Sequence, residues 1–228
     1  MSGAAKASAA VEPLFSAEQI AQRVESLAGE IARAEPSEIL IVSVLRGGFV
    51  FAADLVRALH RAGQSAEIDF MILSSYGGEL KSSGRVAMLR DIEANVGGCS
   101  VLLVDDLVDT GRTLAFAKSL LEKRGARRVA TCVLLDKAVA RAIPVGPDYK
   151  GFDCPAHFVV GYGMGQGHRY RELPYIGRIM HDEADFSAGP GGSNRGPGAD
   201  SSRRRRPGGA RFRAPRARNG RARCDDRA

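Results

Sequence analysis

The chain contains no run of 18 or more consecutive apolar residues, which excludes a membrane-crossing helix of ordinary length. Its N-terminus lacks a basic segment followed by an apolar run and a small-residue cleavage site, so no export signal is read there. The four cysteines, Cys99, Cys132, Cys154 and Cys224, form neither a Cys-x-x-Cys pair nor a Cys/His spacing suited to zinc. A disulfide scaffold and a structural zinc centre are thereby set aside, and a reduced, cytoplasmic protein is expected. A net basic charge is missing from most of the chain. Residues 187–228 carry twelve arginines and three aspartates, a local +9, which leaves the first 186 residues at −2 of the total +7. That balance does not support a nucleic-acid surface on the folded part.

With 228 residues and 44% apolar content, one globular domain with a core is expected. Residues 1–12 are small and polar and read as a flexible N-terminus. Residues 13–186 hold the periodic pattern. From 187 to 228, Gly, Pro, Ser, Arg and Ala dominate with Phe212 the single aromatic, too little apolar surface to offset chain entropy. This tail reads as disordered: an RNA- or membrane-attracted arm, a solvated passenger, or the product of a shifted reading frame in GC-rich DNA.

Phe15-Ser16-Ala17-Glu18-Gln19-Ile20 reads as a helix start, with Ser16 as cap, Gln19 reaching back and Phe15 stapling onto Ile20. Ile20, Val24, Leu27 and Ile31 follow on one face until Pro36 stops the helix. Ile39 to Leu45 is an aliphatic strand of the kind buried on both faces of a parallel sheet. Phe49–Arg61 fits a helix and Glu67–Leu73 a strand. Ser74–Asn95 has little apolar periodicity and reads as a mobile lid loop. The pattern resumes with strand Ser100–Val104, helix Thr110–Arg124, and strands Arg128–Leu135, Phe158–Tyr162 and Ile176–Met180. The fold class is therefore α/β: a twisted, mostly parallel sheet with helices on both faces.

The strongest chemical signal runs from Val101 to Thr113, where an aliphatic strand delivers Asp105 and Asp106 to the carboxyl edge of the sheet. Asp109-Thr110-Gly111-Arg112-Thr113 then opens a helix, where free backbone amides and hydroxyls grip phosphate. A helix cap would account for Asp109 or Thr110 alone. It leaves unexplained three carboxylates beside an anion site, which repel phosphate unless sugar hydroxyls or a divalent cation engage them. A ligand combining phosphate, diol and metal satisfies every group.

This segment closely resembles the phosphoribosyl pyrophosphate-binding motif of type I phosphoribosyltransferases. The resemblance implies that Asp105 and Asp106 hold the ribose hydroxyls and Mg2+, and that Asp109 through Thr113 wrap the 5′-phosphate. Many purine enzymes of the family carry Glu where Asp105 stands. Further matches between Leu40 and Ile179 point to the hypoxanthine/guanine branch, and imply its base-binding hood and lid. Leu45-Arg46-Gly47-Gly48 resembles the pyrophosphate loop, and Ser74-Ser75-Tyr76-Gly77 the start of the lid. Lys137, ending Leu134-Leu135-Asp136-Lys137, would meet the purine's exocyclic oxygen. In His157-Phe158-Val159-Val160-Gly161-Tyr162-Gly163, Phe158 would stack on the base while the Val159 backbone reads its edge. Arg171, within Arg169-Tyr170-Arg171-Glu172-Leu173-Pro174, would touch pyrophosphate, and Asp109 would accept the purine's proton as the catalytic base. One position departs from the family. Where an aspartate that ligates a second magnesium usually follows Gly-Tyr-Gly-Met, this chain has Gly165, with His168 nearby.

The implied activity is purine salvage: transfer of the phosphoribosyl group to hypoxanthine or guanine, by a homodimer or homotetramer. Two rivals stand beside it. The xanthine/guanine group shares an Asp-Asp-Leu-Val-Asp-Thr-Gly run, and an RNA-binding regulator on the same fold would use the arginine tail. Asp109 and Lys137, which a sensor need not retain, weigh against the regulator.

Overall fold

The computed structural model describes residues 10–180, apart from residue 36 and residues 76–85. Tyr76, Gly77, Pro36 and the 187–228 tail therefore lie outside the described residues. A six-stranded sheet forms the centre, built from β2 (Ile39–Leu45), β3 (Ala66–Ser75), β4 (Val86–Arg90), β5 (Ser100–Val108), β6 (Arg128–Asp136) and β7 (Tyr149–Asp153). Its order is β4-β3-β2-β5-β6-β7, with every neighbouring pair parallel except β3 with β4. The aliphatic runs of β2, β5 and β6 fill its middle, where both faces are covered and no alternation with polar residues is needed.

The helices divide between the two faces. Helix α1 (Ala17–Ala34) opens on the capping box foreseen from the sequence: Gln19 N–H donates to Ser16 Oγ, and Ser16 N–H to Gln19 Oε1. Its buried stripe of Ile20, Val24, Leu27, Ala28 and Ile31 packs with α2 (Phe49–Arg61) against Ile39, Ile41, Leu102 and Val104. Each large aliphatic side chain buried in this way stabilises by about 1.5–3 kcal/mol. Helix α3 (Arg112–Lys123) covers the opposite face, setting Leu114, Ala117 and Leu121 on Leu40, Val42, Val101 and Leu103.

A second, small antiparallel sheet of β1 (Val11–Phe15), β9 (Ile176–Ile179) and β8 (Val159–Val160), in that order, forms the hood. Several strands depart from the sequence reading. Val11 and Glu12, read as part of a flexible terminus, pair with Ile179 and Arg178. Ser74 and Ser75, read as lid, extend β3 and pair with Ala87 and Val86 of β4, so the 74–95 segment includes a hydrogen-bonded hairpin arm. The strand read over Phe158–Tyr162 shortens to two residues, because Gly161, Tyr162 and Gly163 all have left-handed φ, at 98°, 50° and 94°. Edge strand β7 has no counterpart in the sequence reading.

No helix among the described residues is long and apolar enough to cross a membrane. Cys132 and Cys154 are free and buried, and burial raises both thiols above the ordinary cysteine value.

Candidate active site

Strand β5 alternates its side chains, and that alternation separates the two acids. Leu102 and Val104 face α1 and α2, so Asp106 turns to that side, while Val101 and Leu103 face α3 and Asp105 turns with them. Asp106 opens onto a cavity of about 320 Å3 whose walls also include Gly47, Asp109, Lys137, Phe158, Val159 and Arg171. Asp105 is not among the residues lining it. It lies behind, 6% exposed, and its Oδ1 accepts from the Asp106 N–H at 3.0 Å.

Burial, and then the charge of Asp106, push the Asp105 carboxyl well above the usual carboxylate range. Burial also raises Asp106, against the lowering effect of its own hydrogen bonds and of the Arg171 charge. Two adjoining carboxylates with so little opposing charge, all their donor atoms oxygen, suit a hard divalent cation completed by ligand oxygens. No group of three or more His, Cys, Asp or Glu able to hold a metal without a ligand's help occurs among the described residues.

The segment from Asp109 to Leu114 presents several unpaired amides. Helix α3 begins at Gly111, whose φ of 81° only glycine adopts readily, and no side chain caps it. Neither Asp109 nor Thr110 serves as the cap. Intrahelical bonding starts with Ala115 N–H to the Gly111 carbonyl, and the amides of Gly111, Thr113 and Leu114 have no partner among the described residues. Thr110 is held from behind, its carbonyl accepting from the Ala142 and Ile143 N–H groups at 3.0 and 3.1 Å. Arg141 ties that supporting turn to β6, pairing with Asp136 and donating to the Val145 carbonyl at 2.6 Å.

Across the cavity, β2 ends in the Arg46-Gly47-Gly48 turn ahead of α2, with a cis bond between Leu45 and Arg46. The Gly47 and Gly48 amides also lack hydrogen-bond partners among the described residues. Gly47 is required by space: a Cβ there would stand 1.7 Å from Asp106 Oδ2. The hood closes the third side. Gly161-Tyr162-Gly163-Met164 makes a two-residue turn with both central φ values positive, the primed geometry that continues strand twist. A non-glycine residue in that region costs about 1–2 kcal/mol. Tyr162 is held there by its hydroxyl, which donates to Asp54 Oδ2 on α2 at 2.5 Å. Burial and this carboxylate raise the Tyr162 phenol above its ordinary value.

Lys137 is buried, its Nζ donating to the His157 carbonyl at 2.5 Å, beside Phe158 and Val159. Phe158 is 52% exposed, a large aromatic face presented to the cavity. Arg171 donates to the Gly163 and Gly167 carbonyls at 2.6 and 3.0 Å. One cavity therefore gathers Gly47, Asp106, Asp109, Lys137, Phe158, Val159 and Arg171, while Thr110, Gly111, Arg112 and Thr113 form the adjoining helix start. Arg46 and Arg171 share a neighbouring cavity. Met164, Leu107 and the Tyr162–Asp54 bond escaped the sequence reading; only the Gly-Tyr-Gly turn signal could have drawn attention to Tyr162.

Residues 10–166 match the phosphoribosyl transferase domain family. The chain belongs to that family. Among curated phosphoribosyltransferases it is 43% identical over 166 residues to the hypoxanthine-guanine phosphoribosyltransferase of Lactococcus lactis, covering 72% of this chain and 88% of that one. It is 38% identical over 173 residues to the hypoxanthine phosphoribosyltransferase of Escherichia coli, covering 75% and 96%. A solved hypoxanthine-guanine phosphoribosyltransferase from Bacillus anthracis superposes with a TM-score of 0.69 at 39% identity, covering 74% of this chain and 98% of that one. The mostly parallel sheet with helices on both faces is thus the phosphoribosyltransferase fold, and the hypoxanthine/guanine branch is favoured over the xanthine/guanine group and over an RNA-binding regulator.

Proposed function

We propose that the chain transfers the 5-phosphoribosyl group from phosphoribosyl pyrophosphate to hypoxanthine, and to guanine, giving IMP or GMP and pyrophosphate. The observation that carries this reading is one cavity walled by Asp106 and Asp109, the Gly47 turn, Lys137 and the Phe158–Val159 edge. An anion site, a diol site and a flat aromatic platform within one such space fit a sugar phosphate beside a planar base.

On this reading the free amides of Gly111, Thr113 and Leu114 grip the 5′-phosphate, with the Thr110 and Thr113 hydroxyls and Arg112 beside them. Asp106, backed by Asp105, holds the ribose hydroxyls and Mg2+. When bound, that ion supplies charge neutralisation at the diphosphate. The amides of Gly47 and Gly48, with Arg46 and Arg171, receive the leaving pyrophosphate. Positive charge then develops on the ribose, and the base nitrogen attacks. Asp109 accepts the proton from the purine's imidazole ring, Lys137 stabilises charge on its exocyclic oxygen, and Phe158 stacks on its face. Ser74, Ser75 and Tyr76 begin the segment that excludes water from the reacting centre.

The enzyme works as a homodimer or homotetramer in the cytoplasm, and the 187–228 tail lies outside its catalytic unit. The test is pyrophosphate release with phosphoribosyl pyrophosphate and Mg2+, offering hypoxanthine, guanine and xanthine separately. Turnover on the first two is expected; turnover on xanthine alone, or on none, overturns the reading. Asp109→Asn is expected to lower kcat by about 10²- to 10⁴-fold, the range for losing a general base, with donor affinity kept. An unchanged kcat removes Asp109 from that role.

A further inference from the structure

Beside the cavity of the acids lies a second one of about 360 Å3, lined by Leu45, Arg46, Phe49, His168 and Arg171. Three of its five walls are basic side chains and none is a carboxylate. Arg171 belongs to both cavities, and Arg46 adjoins Gly47, so the two spaces lie side by side. Its remaining walls, Leu45 and Phe49, are apolar and strengthen any charge interaction made against them.

The segment carrying His168 is built to hold it in place. Gln166 and Arg169 bridge, with Arg169 N–H donating to the Gln166 carbonyl at 3.1 Å, and Gly167 turns the chain with φ 60°. Arg171 then fastens the turn, its guanidinium donating to the Gly167 carbonyl immediately before His168. Neither His168 nor Arg46 has a hydrogen-bond or ion-pair partner among the described residues. The backbone also bars an acid from the adjoining wall of the first cavity, where Gly165 stands. A Cβ on Gly165 would stand 2.3 Å from the Arg169 carbonyl oxygen and 2.9 Å from Arg171 Cγ, so no side chain fits there without moving both. Cations without acids suit a polyanion and repel a free divalent metal.

We propose that His168 contacts the departing diphosphate, completing with Arg46 and Arg171 a side-chain cradle that neutralises the leaving group in this cavity. The inference rests on the phosphoribosyl-transfer reading and adds a residue to it. His168 is exposed, so its replacement leaves the core untouched.

The experiment uses the full chain with Mg2+, comparing wild type with His168→Gln and His168→Lys. Three quantities are measured: the inhibition constant of inorganic pyrophosphate, the KM for phosphoribosyl pyrophosphate and the KM for hypoxanthine. His168→Gln is expected to raise the first two by about fivefold, the effect of losing one partly exposed charge-assisted hydrogen bond, while the hypoxanthine KM stays within about twofold. His168→Lys restores both to near wild type, because only a cationic donor is needed. Pyrophosphate inhibition of His168→Gln within about twofold of wild type overturns the proposal, as does a loss shared equally by hypoxanthine. A wild-type protein that neither turns over nor binds pyrophosphate defeats the parent reading instead.

Discussion

Replacing Gly47 by alanine tests the geometry of the site with a single methyl group. That methyl would stand 1.7 Å from Asp106 Oδ2 and 2.5 Å from its Cγ. The first contact is about 1.8 Å inside the separation of roughly 3.5 Å at which such atoms rest. Gly47 does not occupy the left-handed region, so alanine meets no backbone objection and the whole effect is steric. Either the Asp106 carboxylate swings out of the cavity or the 46–48 turn lifts away from it. In both cases two groups that must act on one ligand separate by more than 1 Å, a displacement that costs about 10²-fold in rate. The strain itself is of the overpacking kind, about 1–3 kcal/mol. We therefore expect Gly47→Ala to fold with a modestly lowered thermal midpoint and to lose about 10²-fold in kcat/KM for phosphoribosyl pyrophosphate. The control is Gly146→Ala, since a Cβ at Gly146 has nothing within 4 Å and its φ is not positive. Steady-state kinetics and a thermal melt on both variants suffice. A Gly47→Ala enzyme within about threefold of wild type would refute the inferred approach of the turn to Asp106.

Three further outcomes follow from particular groups. The raised pKa of Asp105 means the folded state holds a proton that the unfolded chain releases near its ordinary value of about 3.9. Stability from this group is complete below that value and is lost as pH rises through the elevated one, so without Mg2+ Asp105→Asn should melt higher than wild type at neutral pH. A lower midpoint at pH 7 would sink this reading. Stabilisation by Mg2+ with phosphoribosyl pyrophosphate, present in wild type, should shrink in the same variant, as a shift assay with and without the pair will show. Tyr162→Phe removes the hydroxyl held by Asp54 and should cost about 1.5–3 kcal/mol in denaturant unfolding, the range for a hydrogen bond to a charged group. An unaltered midpoint would mean that this bond does not hold the hood turn.

Those perturbations fall on features of unequal visibility in the sequence, and the inequality has a physical cause. Strands β2, β5 and β6 are buried on both faces, so each had to be an unbroken aliphatic run and each could be read directly. The capping box of α1 is local, closed within four residues, and was equally plain. Strands β1, β4 and β7 are short and lie at sheet edges, where Val-Glu-Pro-Leu-Phe, Val-Ala-Met-Leu-Arg and Tyr-Lys-Gly-Phe-Asp carry charge. What makes them strands is the partner: β3 for β4, β6 for β7, and for β1 one supplied from far along the chain, where Val11 meets Ile179.

The same division runs through the site. Residue types at Asp105–Thr113 point to a phosphate and a diol from the sequence alone because the motif is contiguous. Which acid faces the ligand was not declared. Alternation along β5 sets Asp105 and Asp106 on opposite faces, but choosing between the faces needs the knowledge that α2 and the Gly47 turn lie over one of them. Tyr162 and Asp54 are 108 residues apart, and nothing in either neighbourhood announces the other. His168 is the sharpest instance: as a lone polar residue it carried no signal, and it acquires one only when Arg46 and Arg171 close around the same cavity. Chemistry encoded within one turn of chain is written in the sequence, whereas chemistry made by juxtaposition exists only once the core has fixed which elements meet.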